Sequence, residues 1–170
     1  IKYPIKGSGS ITVATTRPET MLGDTAVAVN SKDERYKNLV GKIVILPLAG
    51  REIPIIADEL VDKTFGSGAV KVTPAHNLVD YQIGQRHKLK SIQVITERGK
   101  ISDQAPAAYR KLKILEAREK IISDLKNQNL LKKVEDHVHQ VPKCYRCNTV
   151  IELIPSLQWF LKMDEWAKLA

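Results

Sequence analysis

Two short stretches carry nearly all the residues of this chain that could do chemistry. The first reads Thr15-Thr16-Arg17-Pro18-Glu19-Thr20. The second reads Phe65-Gly66-Ser67-Gly68-Ala69-Val70-Lys71-Val72-Thr73-Pro74-Ala75-His76 and leads into Asn77 and Asp80. Their side chains supply a carboxylate able to clamp an ammonium (Asp80) and a guanidinium suited to the phosphate-bearing end of a ligand (Arg17). Lys71, Thr73 and Thr20 could ring a small polar pocket, and Thr15 and Thr16 add hydroxyls and backbone amides that could fix a carbonyl. No Ser-His-Asp or Cys-His set suggests itself, and both cysteines lie far along the chain. Hydrolysis of an activated bond by a positioned water therefore fits better than an acyl-enzyme.

Singly, each residue has a plainer use. Asn77 and Asp80 have the spacing of an N-cap and N3 pair for a helix running to His87. Arg17 alone reads as a surface cation, Lys71 as a strand-edge one, Glu19 as a turn cap, His76 as a structural hydrogen-bonder, and Thr15 and Thr16 as sheet-edge residues. The combination is what raises them above those uses.

Short strands must position these residues. Ser10 to Ala14 alternates apolar and small polar side chains, Ala26 to Val29 is an apolar run, and Lys42 to Leu46 and Glu52 to Ile56 are rich in Ile and Val around a Pro47-Leu48-Ala49-Gly50 turn. Val70 and Val72 point to one face of a strand, which turns Lys71 and Thr73 together to the other. Ser91 to Ile95 reads as a further strand, and Ser31 with Glu34 has capping-box spacing for a short helical turn over 31–38. From Pro106 to about Lys133 the pattern is helical, with Ala108, Leu112, Leu115, Ile122 and Leu125 on one stripe. Val138 to Ile154 carries a pair of strands around Cys144 and Cys147. The fold class expected is α+β, mainly β: a distorted β-barrel with peripheral helices.

The 170 residues suit one domain with a sizeable core, and 43% hydrophobic content excludes a disordered chain. No apolar run approaches a membrane span and no secretory signal opens the chain, so no membrane partner is expected. The chain starts at Ile1 rather than Met, as a piece of a longer polypeptide would. A net charge of +8, from 27 Lys and Arg against 19 Asp and Glu, favours an anionic partner such as nucleic acid, although only 5% of residues are aromatic and a base-stacking platform is poorly supported. Two cysteines so close together do not make a secreted disulfide framework, and a reducing cytoplasm fits best.

The Thr15–Ala26 and Phe65–His76 stretches resemble the two motifs of the editing domain inserted in class I aminoacyl-tRNA synthetases, in the wording of the valyl branch. Glu19 and Lys71 argue against the leucyl and isoleucyl relatives. The resemblance covers about Gly9 to Met163. It implies a deacylase domain of a valine–tRNA ligase that hydrolyses threonyl-tRNA for valine, with threonyl-adenylate as a second substrate. A hydrophobic first sieve rejects an isosteric hydroxyl poorly, for which valine against threonine is the standing illustration, and a polar second sieve is the remedy. The resemblance implies Asp80 for the ammonium, with Thr15 and Thr16 beside the ester. It further implies Arg17, Glu19, Thr20, Phe65, Lys71, Thr73, His76 and Asn77 as substrate-binding residues. Implied partners are the tRNA 3′ end, threonine or valine as the aminoacyl group, and the rest of the synthetase, with the piece itself a monomer. Editing needs no cofactor, and ATP belongs to the synthetic site of the full-length enzyme. The family carries Asp where this chain has Asn77, which keeps open a tRNA-binding module or degenerate editing domain without activity.

Cys144-Tyr145-Arg146-Cys147 has the spacing of half a zinc knuckle. His137 and His139 could complete it within the chain, while the resemblance implies ligands from outside. Two unliganded thiols are the plainer reading. The expected organisation is an editing unit over 1–135 with its helix at 106–133, the knuckle half with return strands over 136–156, and re-entry into the synthetase body over 157–170, where Trp159 and Trp166 pack on absent parts.

Overall fold

A computed structural model describes residues 1–164 and 166–168, so Glu165, Leu169 and Ala170 of the expected 157–170 tail lie outside the described residues. Strands β1 (Lys2–Pro4) and β2 (Ser10–Thr12) form an antiparallel ribbon. Strands β3 (Ala26–Val29), β4 (Ile43–Ile45), β5 (Glu52–Ala57) and β6 (Ala69–Val72) form a mixed sheet in the order β4-β5-β3-β6. Strand β3 runs parallel to β5 and antiparallel to β6. Two isolated bridges, Ile5 with Val44 and Ala14 with Val70, tie the ribbon to both edges of the sheet. The fold is thus mainly β with peripheral helices, as expected at that level.

The central strand explains the two-layered core. Val27 and Val29 join the larger cluster with Tyr3, Ile11, Leu22 and Val44, while Ala26 and Ala28 pack with Val72 and Ile83 on the opposite face. An apolar run without alternation is what a strand covered on both sides requires. Helix α1 (Leu78–Arg86) covers the second face, and α2 (Ile114–Asn127) buries Ala117, Ile121 and Leu125 in the first. Those three positions are four apart, one stripe of a helix.

Several elements differ from the sequence reading. The expected strand at Ser91–Ile95 is absent, because the amide groups of Val94 and Ile95 donate to the His76 ring instead of to a neighbouring strand. The expected helix over 106–133 is shorter. A 3-10 turn at Ala107–Tyr109 comes first, Lys111 then takes a left-handed φ of 66°, and α2 begins only at Ile114. It ends at Asn127, with Asn129 at φ 57° as the left-handed exit residue. The turn expected at Ser31 with Glu34 is a 3-10 helix over Glu34–Leu39 capped by Asp33, whose carboxylate accepts from the Arg35 amide. Around the cysteines a single bridge, Lys143 with Val150, replaces the expected pair of strands.

Candidate active site

The bridge between Ala14 and Val70 sets Thr15 and Thr16 beside Lys71. The loop before β6 makes that approach possible. Gly66 and Gly68 both have left-handed φ, and a Cβ on Gly66 would lie 2.3 Å from the Ala14 Cβ. Ser67 Oγ then donates to the Thr12 carbonyl at 2.6 Å, fastening the second motif to β2, which leads into the first. Thr15 Oγ accepts from the Arg17 amide at 3.0 Å, a local turn that directs the chain into the 3-10 helix Pro18–Gly23. Pro18 stands at its first turn, where a missing N–H costs nothing. All six of its residues are buried.

A cavity of about 280 Å³ opens where these pieces meet. It is lined by Thr15, Thr16, Arg17, Thr20, Phe65, Lys71, Thr73, His76, Asn77 and Asp80, with Leu60, Val61, Val79 and Ile83 on its apolar side. Ten of the expected site residues are therefore brought together. Glu19 does not line it. Its fully buried carboxylate takes two hydrogen bonds from Arg118 of α2, at 2.9 and 3.0 Å, and one from Arg17 at 3.2 Å. Burial pushes the Glu19 carboxyl up, but Arg118 and Arg17 outweigh it and hold the group below the usual carboxylate range. Glu19 thus braces the first motif against α2.

The floor of the cavity is a buried polar ring. Lys71 of β6 and Thr73, one residue past its end, turn to the same side, as the alternation requires. Lys71 Nζ donates to Thr20 Oγ1 at 2.7 Å and to Thr73 Oγ1 at 2.6 Å, and Thr20 Oγ1 donates onward to the Arg17 carbonyl at 3.1 Å. Thr73 Oγ1 donates to Asp24 at 2.6 Å, and Tyr3 donates to the other Asp24 oxygen at 2.6 Å. Burial raises the Asp24 carboxyl to about 6, against the pull of Lys71, Thr73 and Tyr3. The sequence reading assigned no role to Asp24 or Tyr3. The available signal was a lone carboxylate inside the apolar stretch Met21–Val29, which has to be paired if it is buried.

The carboxylate of Asp80 reaches the same floor from α1. One of its oxygens accepts from the Thr73 amide at 2.8 Å, and its own amide donates to Asn77 Oδ1 at 3.0 Å. Asn77 is the N-cap of α1 and Asp80 its N3 residue, so the plain capping geometry and a cavity-facing carboxylate coexist. Burial raises the Asp80 carboxyl above its ordinary value, with Lys71 and the Thr73 amide opposing.

His76 touches the cavity yet holds the scaffold. Its Nε2 accepts from the Val94 and Ile95 amides at 2.9 and 3.3 Å, which puts its proton on Nδ1, 3.1 Å from the Leu153 carbonyl. Burial lowers the ring to about 4, so it is neutral at physiological pH. Arg17 also pairs with Glu152, so both motifs grip the 152–153 segment.

Cys144 and Cys147 are free thiols in a turn where the Asn148 amide donates to the Cys144 carbonyl at 2.8 Å. His137 and His139 stack on each other at 5.7 Å, with His137 edge-on to Phe65 at 5.8 Å. Among the described residues no group of three or more His, Cys, Asp or Glu side chains is placed to hold a metal, so the two histidines do not complete the pair. Nor, among those residues, is any helix long and apolar enough to cross a membrane.

A family model described as the editing domain of leucyl-tRNA synthetase matches residues 31–139. This chain belongs to the synthetase editing-domain family. The editing domain is 57% identical over 171 aligned positions to valine–tRNA ligase of Thermotoga maritima, covering 100% of this chain and 20% of that protein. It is 55% identical over 168 positions to valine–tRNA ligase of Staphylococcus aureus strain RF122, covering 98% and 19%. The chain therefore spans about a fifth of the length of these relatives. Among solved structures, the editing domain is similar to the Agrobacterium radiobacter K84 agnB2 LeuRS in ternary complex with tRNA and LeuAMS. The TM-score is 0.63 at 20% identity, covering 90% of this chain and 23% of that one. GlLeuRS-CP1 matches with a TM-score of 0.60 at 13% identity, covering 78% and 85%. At these identities the two structures speak for the fold.

Proposed function

We propose that this domain hydrolyses threonyl-tRNA for valine, and threonyl-adenylate as a second substrate, within a valine–tRNA ligase. The observation that carries the reading is the buried ring of Lys71, Thr20 and Thr73 beside the Asp80 carboxylate in one cavity. Asp80 has one oxygen on the Thr73 amide, which leaves the other for the substrate ammonium. The ring offers a donor and hydroxyl oxygens to a threonine side chain, and the methyl of valine meets the same groups without satisfying them. Arg17 takes the phosphate-bearing end of the RNA. Thr15 and Thr16 stand beside the ester, where water attacks the carbonyl carbon and the ribose oxygen leaves with a proton. The neutral, doubly committed His76 serves as scaffold in this scheme. We also infer that ribbon and sheet act as one distorted barrel, which the two edge bridges support.

The remaining assignments follow from the same reading. Residues 1–135 are the editing unit, 136–156 the returning segment, and 157–170 the re-entry into the body. The full exposure of Leu157 and Trp159 supports that last part. Cys144 and Cys147 suit half of a thiolate zinc site, with the other ligands from elsewhere in the synthetase. Contact with Thr149 holds the Cys147 thiol below its ordinary value, which favours the ligating thiolate. Metal analysis of the full-length protein checks this.

The deciding experiment compares hydrolysis of threonyl-tRNA and valyl-tRNA by wild type and Asp80→Ala. Selective loss of threonine in the wild type, abolished in the variant while tRNA affinity stays within a few-fold, supports the reading. Equal activity in both proteins refutes the role of Asp80. Salt-sensitive tRNA binding with no hydrolysis, in the domain and in the full-length enzyme, makes it a binding module instead.

A further inference from the structure

The hydroxyl directions in the polar ring are dictated by its neighbours. An ammonium only donates and an ionised carboxylate only accepts. Thr73 Oγ1 lies between Lys71 Nζ at 2.6 Å and Asp24 at 2.6 Å, so its proton points to Asp24. Thr20 Oγ1 lies between Lys71 Nζ and the Arg17 carbonyl, so its proton points to that carbonyl. Both hydroxyls then face the cavity with lone pairs only. Two Lys71 protons are spent on Thr20 and Thr73. The third has only a long 3.4 Å contact to Asp24 and is the one a ligand acceptor can take. A ligand hydroxyl fits this polarity twice over, accepting from Lys71 and donating to a threonine oxygen. A methyl group of the same shape fits neither.

Resting on the editing reading above, we propose that Asp24 is a positioning residue for substrate specificity. By drawing the Thr73 proton away from the cavity, it makes the ring a site for a side chain that bears a hydroxyl. Asp24 is fully buried behind Thr73 and does not line the cavity, so it acts through Thr73 and Lys71. Tyr3 holds its second oxygen from β1, and Arg51, which donates to the Leu22 and Asp24 carbonyls, fixes the backbone that carries it. The charged or titratable groups facing Asp24 are Tyr3, Arg51, Lys71 and Asp80. A protonated Asp24 would donate to Thr73 and turn the Thr73 proton towards the ligand, undoing the polarity. With its carboxyl raised to about 6, that reversal falls within reach of an ordinary assay.

The test measures kcat/KM for threonyl-tRNA and valyl-tRNA from pH 5 to 8 in the full-length ligase carrying wild type, Asp24→Asn or Tyr3→Phe. The wild-type preference for threonine should fall as the pH drops through about 6. Asp24→Asn should lower the preference about tenfold at pH 7.5, one neutral hydrogen bond's worth, and remove its pH dependence. Tyr3→Phe keeps the carboxylate but removes a donor to it, so the midpoint should move upward. A purely structural role would lower activity on both esters alike and leave the midpoint unmoved. A preference unchanged in Asp24→Asn, or independent of pH in the wild type, overturns the proposal. If Asp24→Asn fails to fold, an unmoved midpoint in Tyr3→Phe overturns it. A wild-type enzyme that hydrolyses neither ester overturns the editing reading and this inference together.

Discussion

Replacing His76 by Gln should change how the stability of the domain depends on pH. The ring is buried, and burial lowers it from 6.5 to about 4, with the Arg17 and Lys71 cations adding to the effect and the Leu153 carbonyl opposing it. Between those two pH values the unfolded chain binds a proton at His76 that the folded protein does not. The stability that depends on a neutral ring is therefore complete above pH 6.5 and drains away as the pH falls towards 4. At about 1.4 kcal/mol per pH unit the loss comes to about 3 kcal/mol. Gln has an acceptor and a donor but no titratable group. At pH 7.5 the variant should be less stable by about 1–2 kcal/mol, because Gln cannot reproduce the bonds to Val94, Ile95 and Leu153 together. Urea unfolding of both proteins at pH 7.5, 5.5 and 4 isolates the effect, since shifts of the other carboxylates are common to the pair. The wild-type advantage should shrink steadily and reverse by pH 4. A gap constant to within about 0.5 kcal/mol over that range would show that the ring is not held neutral, and the tautomer deduced here would fall with it.

Further outcomes at three positions follow from packing and charge. Gly23→Ala places a Cβ 2.8 Å from the Ile92 carbonyl and 3.2 Å from Thr73 Cγ2, so it should cost about 1–3 kcal/mol in thermal unfolding and impair hydrolysis more than its stability loss explains. Glu19→Gln removes a buried charge from two arginines that are each about one-third exposed, so the loss should be about 2 kcal/mol rather than the full value of a buried pair. Because that carboxyl is held below its usual range, the loss should be present at neutral pH and vanish as acid titrates the wild-type group. Asn77→Asp keeps the helix cap and adds a negative charge at the cavity mouth, so stability should hold within about 0.5 kcal/mol while KM for the aminoacyl ester falls. Asn77→Ala should cost about 1 kcal/mol instead.

The sequence carried the site further than it carried the scaffold. Lys71 and Thr73 could be placed on one face of a strand because alternation needs no partner, and the N-cap role of Asn77 was readable from spacing alone. Asp24 was not, since its meaning depends on Lys71 and Thr73, respectively 47 and 49 residues away. Ser91–Ile95 looked like a strand because Val94 and Ile95 are indeed buried, but the amides of those two residues bond a histidine ring, which no local pattern encodes. The apolar stripe read from Ala108 to Leu125 was only partly the buried one: Leu115 is exposed and α2 buries Ala117, Ile121 and Leu125, while the left-handed Lys111 cut the helix. Glu19 read as a turn cap or a substrate contact, and only the packing of α2 against the first motif revealed Arg118 as its partner.

The grip of Arg17 on Glu152 and of His76 on Leu153 joins the two motifs to the irregular segment that precedes the tail. The contacts join residues 135 and 77 positions apart, so each is a long-range fastening rather than a local turn. Tension applied along residues 154–160 would fall first on these two fastenings, one on either wall of the cavity. The 152–153 segment is in that sense a tether that spans the two walls.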